Sequence, residues 1–193
     1  MSITLVAGLG NPGREYESTR HNAGWVVLEA WAKKLGLTWK ASPQFEAEIA
    51  RWDAPGRTCY LAKPLTFMND SGRSVGALMR FYKVPAESVI AVYDDLTIDL
   101  GLVKVSGTGS AGGHNGVAGL LEHLGDGFVR YRLGIGPKQP PQMDLKDFVL
   151  GKFSPEQQTI LSQNLPNYLS GLDLLLTRGA EAAMNQLNRR DPK

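Results

Sequence analysis

Histidine is scarce in this chain, with 3 among 193 residues. Two of the three precede an asparagine in a turn-like setting. His21 lies in Thr19-Arg20-His21-Asn22-Ala23-Gly24, shortly after the turn Asn11-Pro12-Gly13. His114 lies in the glycine-rich run Gly112-Gly113-His114-Asn115-Gly116. A neutral imidazole accepts a proton at physiological pH, so His21 is a candidate general base. Such a base needs a partner that fixes its tautomer and stabilises the imidazolium that forms. Asp94 and Asp95 follow the apolar run Val89-Ile90-Ala91-Val92-Tyr93, and either carboxylate suits that role. Asn11, Asn69 and Asn115 carry amides that can donate to a carbonyl oxygen as it gains charge. This set supports hydrolysis by an activated water. The sequence shows no serine elbow, no Walker loop and no zinc-ligand cluster. No metal and no cofactor are expected. His123 lies beside Glu122 in a helical pattern and receives no role.

These side chains need a scaffold that gathers them. Residues 3–9 form a continuous apolar run, as a buried parallel strand does. Val26, Val27, Ala30, Trp31 and Leu35 recur at helical spacing, and Gly36 ends that helix. Residues 46–52 and 57–62 read as two strands joined by Asp53-Ala54-Pro55-Gly56. Val75, Leu78, Met79 and Tyr82 mark a helix over 71–82. Strands follow over 89–93, 102–106 and 128–135, with a helix over 117–124 between the last two. Arg130 and Arg132 share one strand face by the period of two, as do Lys104 and Ser106. Ser154-Pro155-Glu156-Gln157 opens a final helix, with Ser as N-cap, Pro at the first position and Gln at the third. That helix runs to residue 188 and a basic tail to residue 193. Residues 138–142 read as a surface loop. The alternation predicts an α/β fold: a single-domain three-layer sandwich over 1–193, its twisted, mixed and mostly parallel sheet flanked by helices. In such sheets ligands bind beyond the carboxyl ends of the strands, where Asn11, Asn69 and Asp94 all fall.

Composition narrows the function classes. Hydrophobic content is 42% and charged content 21%, ordinary for a globular protein. The net charge of +2 permits contact with a polyanion without demanding it. No apolar run is long enough to span a bilayer, and the opening residues read as a strand without the basic start of a signal peptide. The single cysteine, Cys59, sits in a strand-like run and reads as core. These features point to the cytoplasm. One rival motif is Gly8-Leu9-Gly10-Asn11-Pro12-Gly13, which matches the dinucleotide fingerprint after a strand. Its context fails, because residues 14–19 lack the apolar period of the helix that should hold the pyrophosphate.

Five motifs, in order along the chain, carry a family resemblance. They are Asn11-Pro12-Gly13; Tyr16 with Thr19-Arg20-His21-Asn22-Ala23-Gly24; Lys63-Pro64 with Thr66-Phe67-Met68-Asn69; Gly112-Gly113-His114-Asn115-Gly116; and Phe148-Val149-Leu150-Gly151-Lys152-Phe153. Together they resemble bacterial peptidyl-tRNA hydrolase. The resemblance implies a monomeric enzyme that hydrolyses the ester joining a peptide to the 3′ ribose of tRNA. It implies that His21 activates the water and that Asp94, rather than Asp95, orients His21. Asn11 and Asn69 would hold the peptide end, with Tyr16 and Met68 lining the site. Asn115 would position the water or the developing oxyanion. Gly112 and His114 would lie near the tRNA acceptor end. Lys104, Arg130 and Arg132 are the expected phosphate contacts along the acceptor stem. Some relatives carry a lysine where this chain has Ser106, and a basic residue where it has Ala118. A tRNA- or peptide-binding module without catalysis is the alternative from another class.

The donor set described above contains no dedicated metal site. Turnover is therefore expected to survive dialysis against a chelator without added metal or nucleotide. Loss in EDTA with recovery on zinc addition would contradict this reading.

Overall fold

The computed structural model describes residues 2–189. Seven strands form one sheet: β1 (Ser2–Gly8), β2 (Lys40–Ser42), β3 (Ala47–Ala54), β4 (Arg57–Pro64), β5 (Val89–Asp99), β6 (Val103–Ser106) and β7 (Val129–Gly136). Their order across the sheet is β2-β3-β4-β1-β5-β7-β6. The central strands β4, β1, β5 and β7 pair in parallel. The outer strands β2, β3 and β6 pair antiparallel. Among the described residues five α-helices accompany it, α1 (Ala23–Lys34), α2 (Ser71–Tyr82), α3 (Asn115–Leu124) and α5 (Pro155–Leu187) flanking the sheet and the short α4 (Leu145–Leu150) lying at its edge. The predicted α/β class, mixed sheet and flanking helices are all present. The basic tail lies outside the described residues from position 190 onward.

The pleat sends alternate residues to two separate cores. Val6, Cys59, Leu61, Ile90, Val92 and Tyr131 pack under α1 and α5. Leu5, Ala7, Ala62, Val89, Ala91 and Tyr93 pack under α2 and α3. Cys59 is fully buried in the first of these, and burial pushes its thiol up to about 12. That pKa leaves almost no thiolate and removes it as a nucleophile.

Three elements differ from the sequence reading. β5 runs to Asp99 rather than ending at Tyr93, because its pairing with β7 resumes after an irregularity between Asp95 and Asp99. Asp94 still projects past the sheet's centre, since β1 stops pairing at Gly8, level with Val92. The short strand β2 and the short helix α4 were not expected, because neither carries a sustained apolar period. The α5 opening follows its sequence signal: the Ser154 hydroxyl accepts from Gln157 N–H while the Gln157 side chain accepts from Ser154 N–H. Gly179, at φ 83°, interrupts α5 near its end.

Glycines set how closely the site-bearing turns approach the sheet. A Cβ on Gly24 would lie 2.8 Å from Leu9 N and closer still to the carbonyl of Val92. Only glycine lets the start of α1 sit against β1 and β5, which places the preceding turn at the sheet edge. Gly119 lies where a Cβ would meet the Asn69 carbonyl at 2.6 Å. The amino ends of α2 and α3 therefore come together, and Asn69 and Asn115 with them. Gly10 faces the Trp25 indole at 2.7 Å from an added Cβ. Its lack of a side chain thus serves the indole, not a pyrophosphate, and α1 begins only at Ala23, well past Gly13.

Gly24→Ala is expected to destabilise the fold by ~1–3 kcal/mol in urea unfolding, because the new methyl group meets backbone on two strands. Gly107→Ala, where a Cβ meets nothing within 4 Å, serves as the neutral control. Equal stability of the two variants would contradict the close-approach argument.

Candidate active site

A cavity of about 1110 Å³ opens beyond the carboxyl end of β1, beside the stretch of β5 that runs on past it. Its wall includes Asn11, His21, Met68, Asn69, Asp94, Gly112, His114, Asn115, Arg130 and Arg132. Residues from Asn11 to Leu150 are thus gathered around one cavity.

At its centre is a buried carboxylate between two imidazoles. Nδ1 of His21 lies 3.0 Å from Asp94 Oδ1 and 3.1 Å from Oδ2. Nε2 of His114 lies 3.0 Å from the same Oδ1. The two rings are 4.7 Å apart, centroid to centroid. Burial alone would raise the Asp94 carboxyl, but His114 and then His21 outweigh it and hold the group well below the usual carboxylate range. Asp94 is therefore an acceptor at neutral pH, and both histidines present N–H to it. His114 Nδ1 accepts from Val117 N–H at 3.3 Å, which leaves its proton on Nε2. Both nitrogens of His114 are thus engaged. His21 differs: its Nε2 has no protein partner among the described residues and is not sealed from the cavity. That nitrogen carries a free lone pair, as a general base requires. The tie between the two aspartates resolves on contacts. Asp95 accepts from Thr97 and pairs with Arg132 at 3.2 Å, leaving His21 to Asp94.

Asn11 is fixed by its neighbours. Its Oδ1 accepts from Met68 N–H at 2.7 Å, so its Nδ2 is the group left to donate into the cavity. The fully buried Asn22 bonds both backbone groups of Asn11, accepting from its N–H and donating to its carbonyl, each at 2.9 Å. Asn22 was not singled out from sequence. Its only signal there was adjacency to His21, and its partner lies 11 positions away. Asn69 and Asn115 are exposed on the cavity wall, and Met68 is buried beneath it.

Other expected site residues are placed differently. His114 sits against Asp94, its nitrogens held by Asp94 and Val117, beside His21 at the cavity's centre. Tyr16 lies in a short 3-10 turn outside the cavity lining. Its carbonyl accepts from the N–H and hydroxyl of Thr19, which orders the turn before His21. The strand pairing sets Lys104 opposite Arg132 and Ser106 opposite Arg130, so all four share a face as expected. Yet Arg130 is only 2% exposed, bound to Asp126 and to the carbonyl of Gly109 in the glycine-rich loop. It holds that loop and presents little free cation. Lys104 lies beyond the cavity lining. Lys63 of the third motif is buried away from the cavity and paired with Glu29 and Glu48.

His21, Asp94 and His114 offer three donors within 4.8 Å of one another, a spacing a metal ion can bridge. The proton on His114 Nε2 fits that use poorly. Coordination there would move it to Nδ1, opposite the Val117 N–H, leaving two donors face to face.

A sequence model of peptidyl-tRNA hydrolase matches residues 5–193. The chain belongs to the peptidyl-tRNA hydrolase family. It is 40% identical to the peptidyl-tRNA hydrolase of Gloeobacter violaceus, over 98% of this chain and 96% of that protein. It is also 40% identical to the one from Lactiplantibacillus plantarum, over 96% of this chain and 100% of that protein. The crystal structure of the Acinetobacter baumannii peptidyl-tRNA hydrolase superposes with a TM-score of 0.89 at 37% identity, covering 99% of this chain and 97% of that one. No described helix is long and apolar enough to cross a membrane.

Because the folded Asp94 value is depressed, its contribution to stability is complete above the ordinary value of 3.8 and is lost as pH falls below it. The protein should thus lose urea stability between about pH 4 and pH 2 more steeply than Asp94→Asn does. Parallel curves would mean that the carboxylate has no such differential.

Proposed function

We propose that this chain hydrolyses the ester between a peptide and the 3′ ribose of tRNA, with His21 as general base. The observation that carries the reading is the asymmetry of the two histidines: both contact Asp94, but only His21 keeps a nitrogen free toward the cavity. Water donates a proton to His21 Nε2 and its oxygen adds to the ester carbonyl. Asp94 accepts from Nδ1–H and stabilises the imidazolium. When the tetrahedral intermediate collapses, the bond from carbon to the ribose oxygen breaks. The proton on Nε2 passes to that leaving oxygen, freeing peptide and tRNA without a covalent intermediate. His114 holds the Asp94 carboxylate in place from the other side. Asn11, through Nδ2, and Asn69 hold the peptide backbone over Met68, and Asn115 faces the developing oxyanion. The tRNA acceptor stem lies along Arg132 and Lys104, with Arg130 and Gly112 shaping the loop beside it. Tyr16 supports the His21 turn from outside the cavity. The protein acts as a monomer of one domain, in the cytoplasm, with no cofactor.

Release of the blocked amino acid from N-acetyl-aminoacyl-tRNA tests this reading. His21→Ala should lower turnover by ~10²–10⁴ while tRNA affinity stays close to wild type. Asp94→Asn should be milder, because it perturbs the His21 tautomer while keeping the size of the group. Unblocked aminoacyl-tRNA should react more slowly, since it lacks the peptide group that the asparagines hold. Wild-type turnover in His21→Ala would refute the mechanism. A wild-type chain that binds tRNA without turnover would make it a binding module.

A further inference from the structure

Arg20 adjoins His21, but its guanidinium reaches the end of α4 and the start of α5. One terminal nitrogen donates to the Phe148 carbonyl at 3.1 Å, the other to Gln157 Oε1 at 3.1 Å. The group lies over the Phe148 ring, 4.4 Å from its centroid, and 5.4 Å from that of Phe153. The Arg20 backbone N–H donates to the Gly151 carbonyl at 3.0 Å, and Thr19 bridges to Lys152. Among the described residues no carboxylate pairs with this cation, and its Nε is buried without a partner. A cation held without an anion is held by geometry: two acceptors and two ring faces, all on residues 148–157.

α4 explains what such a grip accomplishes. Its Leu145, Val149 and Leu150 line the same cavity as His21, and the helix packs against the turn that carries that histidine. At 6 residues it is too short to persist by its own hydrogen bonds. Its amino end is capped by Asp144, whose side chain accepts from Lys146 N–H at 2.8 Å. The carbonyls at its other end attract a cation, and Arg20 supplies one. Gly151 provides an independent mark of the same contact. Its φ of −75° and ψ of 155° suit any residue, so its backbone does not require glycine. A Cβ there would instead lie 2.7 Å from the Arg20 guanidinium, with the Asp147 and Phe148 carbonyls next at 3.1 and 3.3 Å.

We propose that Arg20 is a positioning residue that locks α4, one wall of the substrate cavity, to the turn bearing His21. The lock sets the width of the cavity and so the grip on the peptidyl 3′ end. This rests on the function proposed above. Amide hydrogen exchange needs no substrate and reads the lock separately from that function.

Arg20→Met keeps much of the side-chain bulk and removes the hydrogen bonds. Exchange should quicken over residues 145–152 while the amides of β1 and β5 remain as in wild type. With N-acetyl-aminoacyl-tRNA, KM should rise roughly tenfold, the scale of lost charge-assisted hydrogen bonds, with kcat altered far less. Gly151→Ala should produce the same two changes by crowding the guanidinium. In Arg20→Met it should add less than it costs alone, because the 2.7 Å contact is gone and only the looser approach to the Asp147 and Phe148 carbonyls remains. Arg20→Lys, which keeps the charge without the fork, should recover only part of the loss. Unchanged exchange over 145–152, a fall in kcat at constant KM, or full additivity of the two substitutions would overturn the proposal. So would global unfolding of both Arg20→Lys and Gly151→Ala, since the contact would then support the whole molecule. Failure of the wild type to release N-acetyl-aminoacyl groups would refute the function and leave the exchange result to decide the lock.

Discussion

A buried carboxylate must be held by donors, and Asp94 is held by two imidazoles rather than by a lysine or arginine. That choice orders the rest of the site. A permanently charged partner would satisfy Asp94 without taking part in proton transfer. Two histidines satisfy it while one of them keeps a ring nitrogen open to a proton. The second histidine is held by a backbone N–H, so it steadies the carboxylate without competing for the water. The carboxylate stays ionised despite its burial because both partners donate to it.

Three chain segments must meet for this to happen, and each is brought in by close backbone approach. Gly24 allows the His21 turn to reach the edge where β5 carries Asp94 past the end of β1. Gly119 allows the start of α3, with His114 and Asn115 just before and at its first residue, to approach the turn that bears Asn69. A Cβ on Gly116 would lie 2.6 Å from Met68 Sδ, so the same helix start also packs on the cavity floor. Asn22 then fixes Asn11 through both of its backbone groups. Side chains that face the cavity are thereby set by contacts that do not face it. This is how a rigid arrangement is obtained from turns, which are otherwise the loosest parts of a fold.

The cavity's outer parts are built with ion pairs and short elements. Arg132 is joined to Asp95, and Arg130 to Asp126 and the glycine-rich loop. Buried as it is, Arg130 shapes the loop that leads to His114. α4 has few residues and depends on partners at both ends, Asp144 at one and Arg20 at the other. The centre of the site is consequently tied to the sheet, while the walls depend on a few individual side chains.

The sequence by itself determined the layer order, most strands and helices, the start of α5 and the residue types of the site. Those features follow from local periodicity, capping and turn chemistry, which neighbouring residues carry between them. It left Asp94 and Asp95 equivalent on the residues alone, with only the family resemblance to separate them. It gave Asn22 no role and showed neither β2 nor α4, while the family resemblance set Arg130 and Lys104 as equal phosphate contacts and Tyr16 on the site wall. Each of these depends on contacts that local patterns do not encode. His21 meets Asp94 across 73 positions, and Arg20 meets Gln157 across 137. Tertiary packing alone decided which nitrogen of which histidine stays free. That outcome depends on what the other nitrogen touches, and only the folded chain brings Asp94, Val117 and the two imidazoles within hydrogen-bond reach.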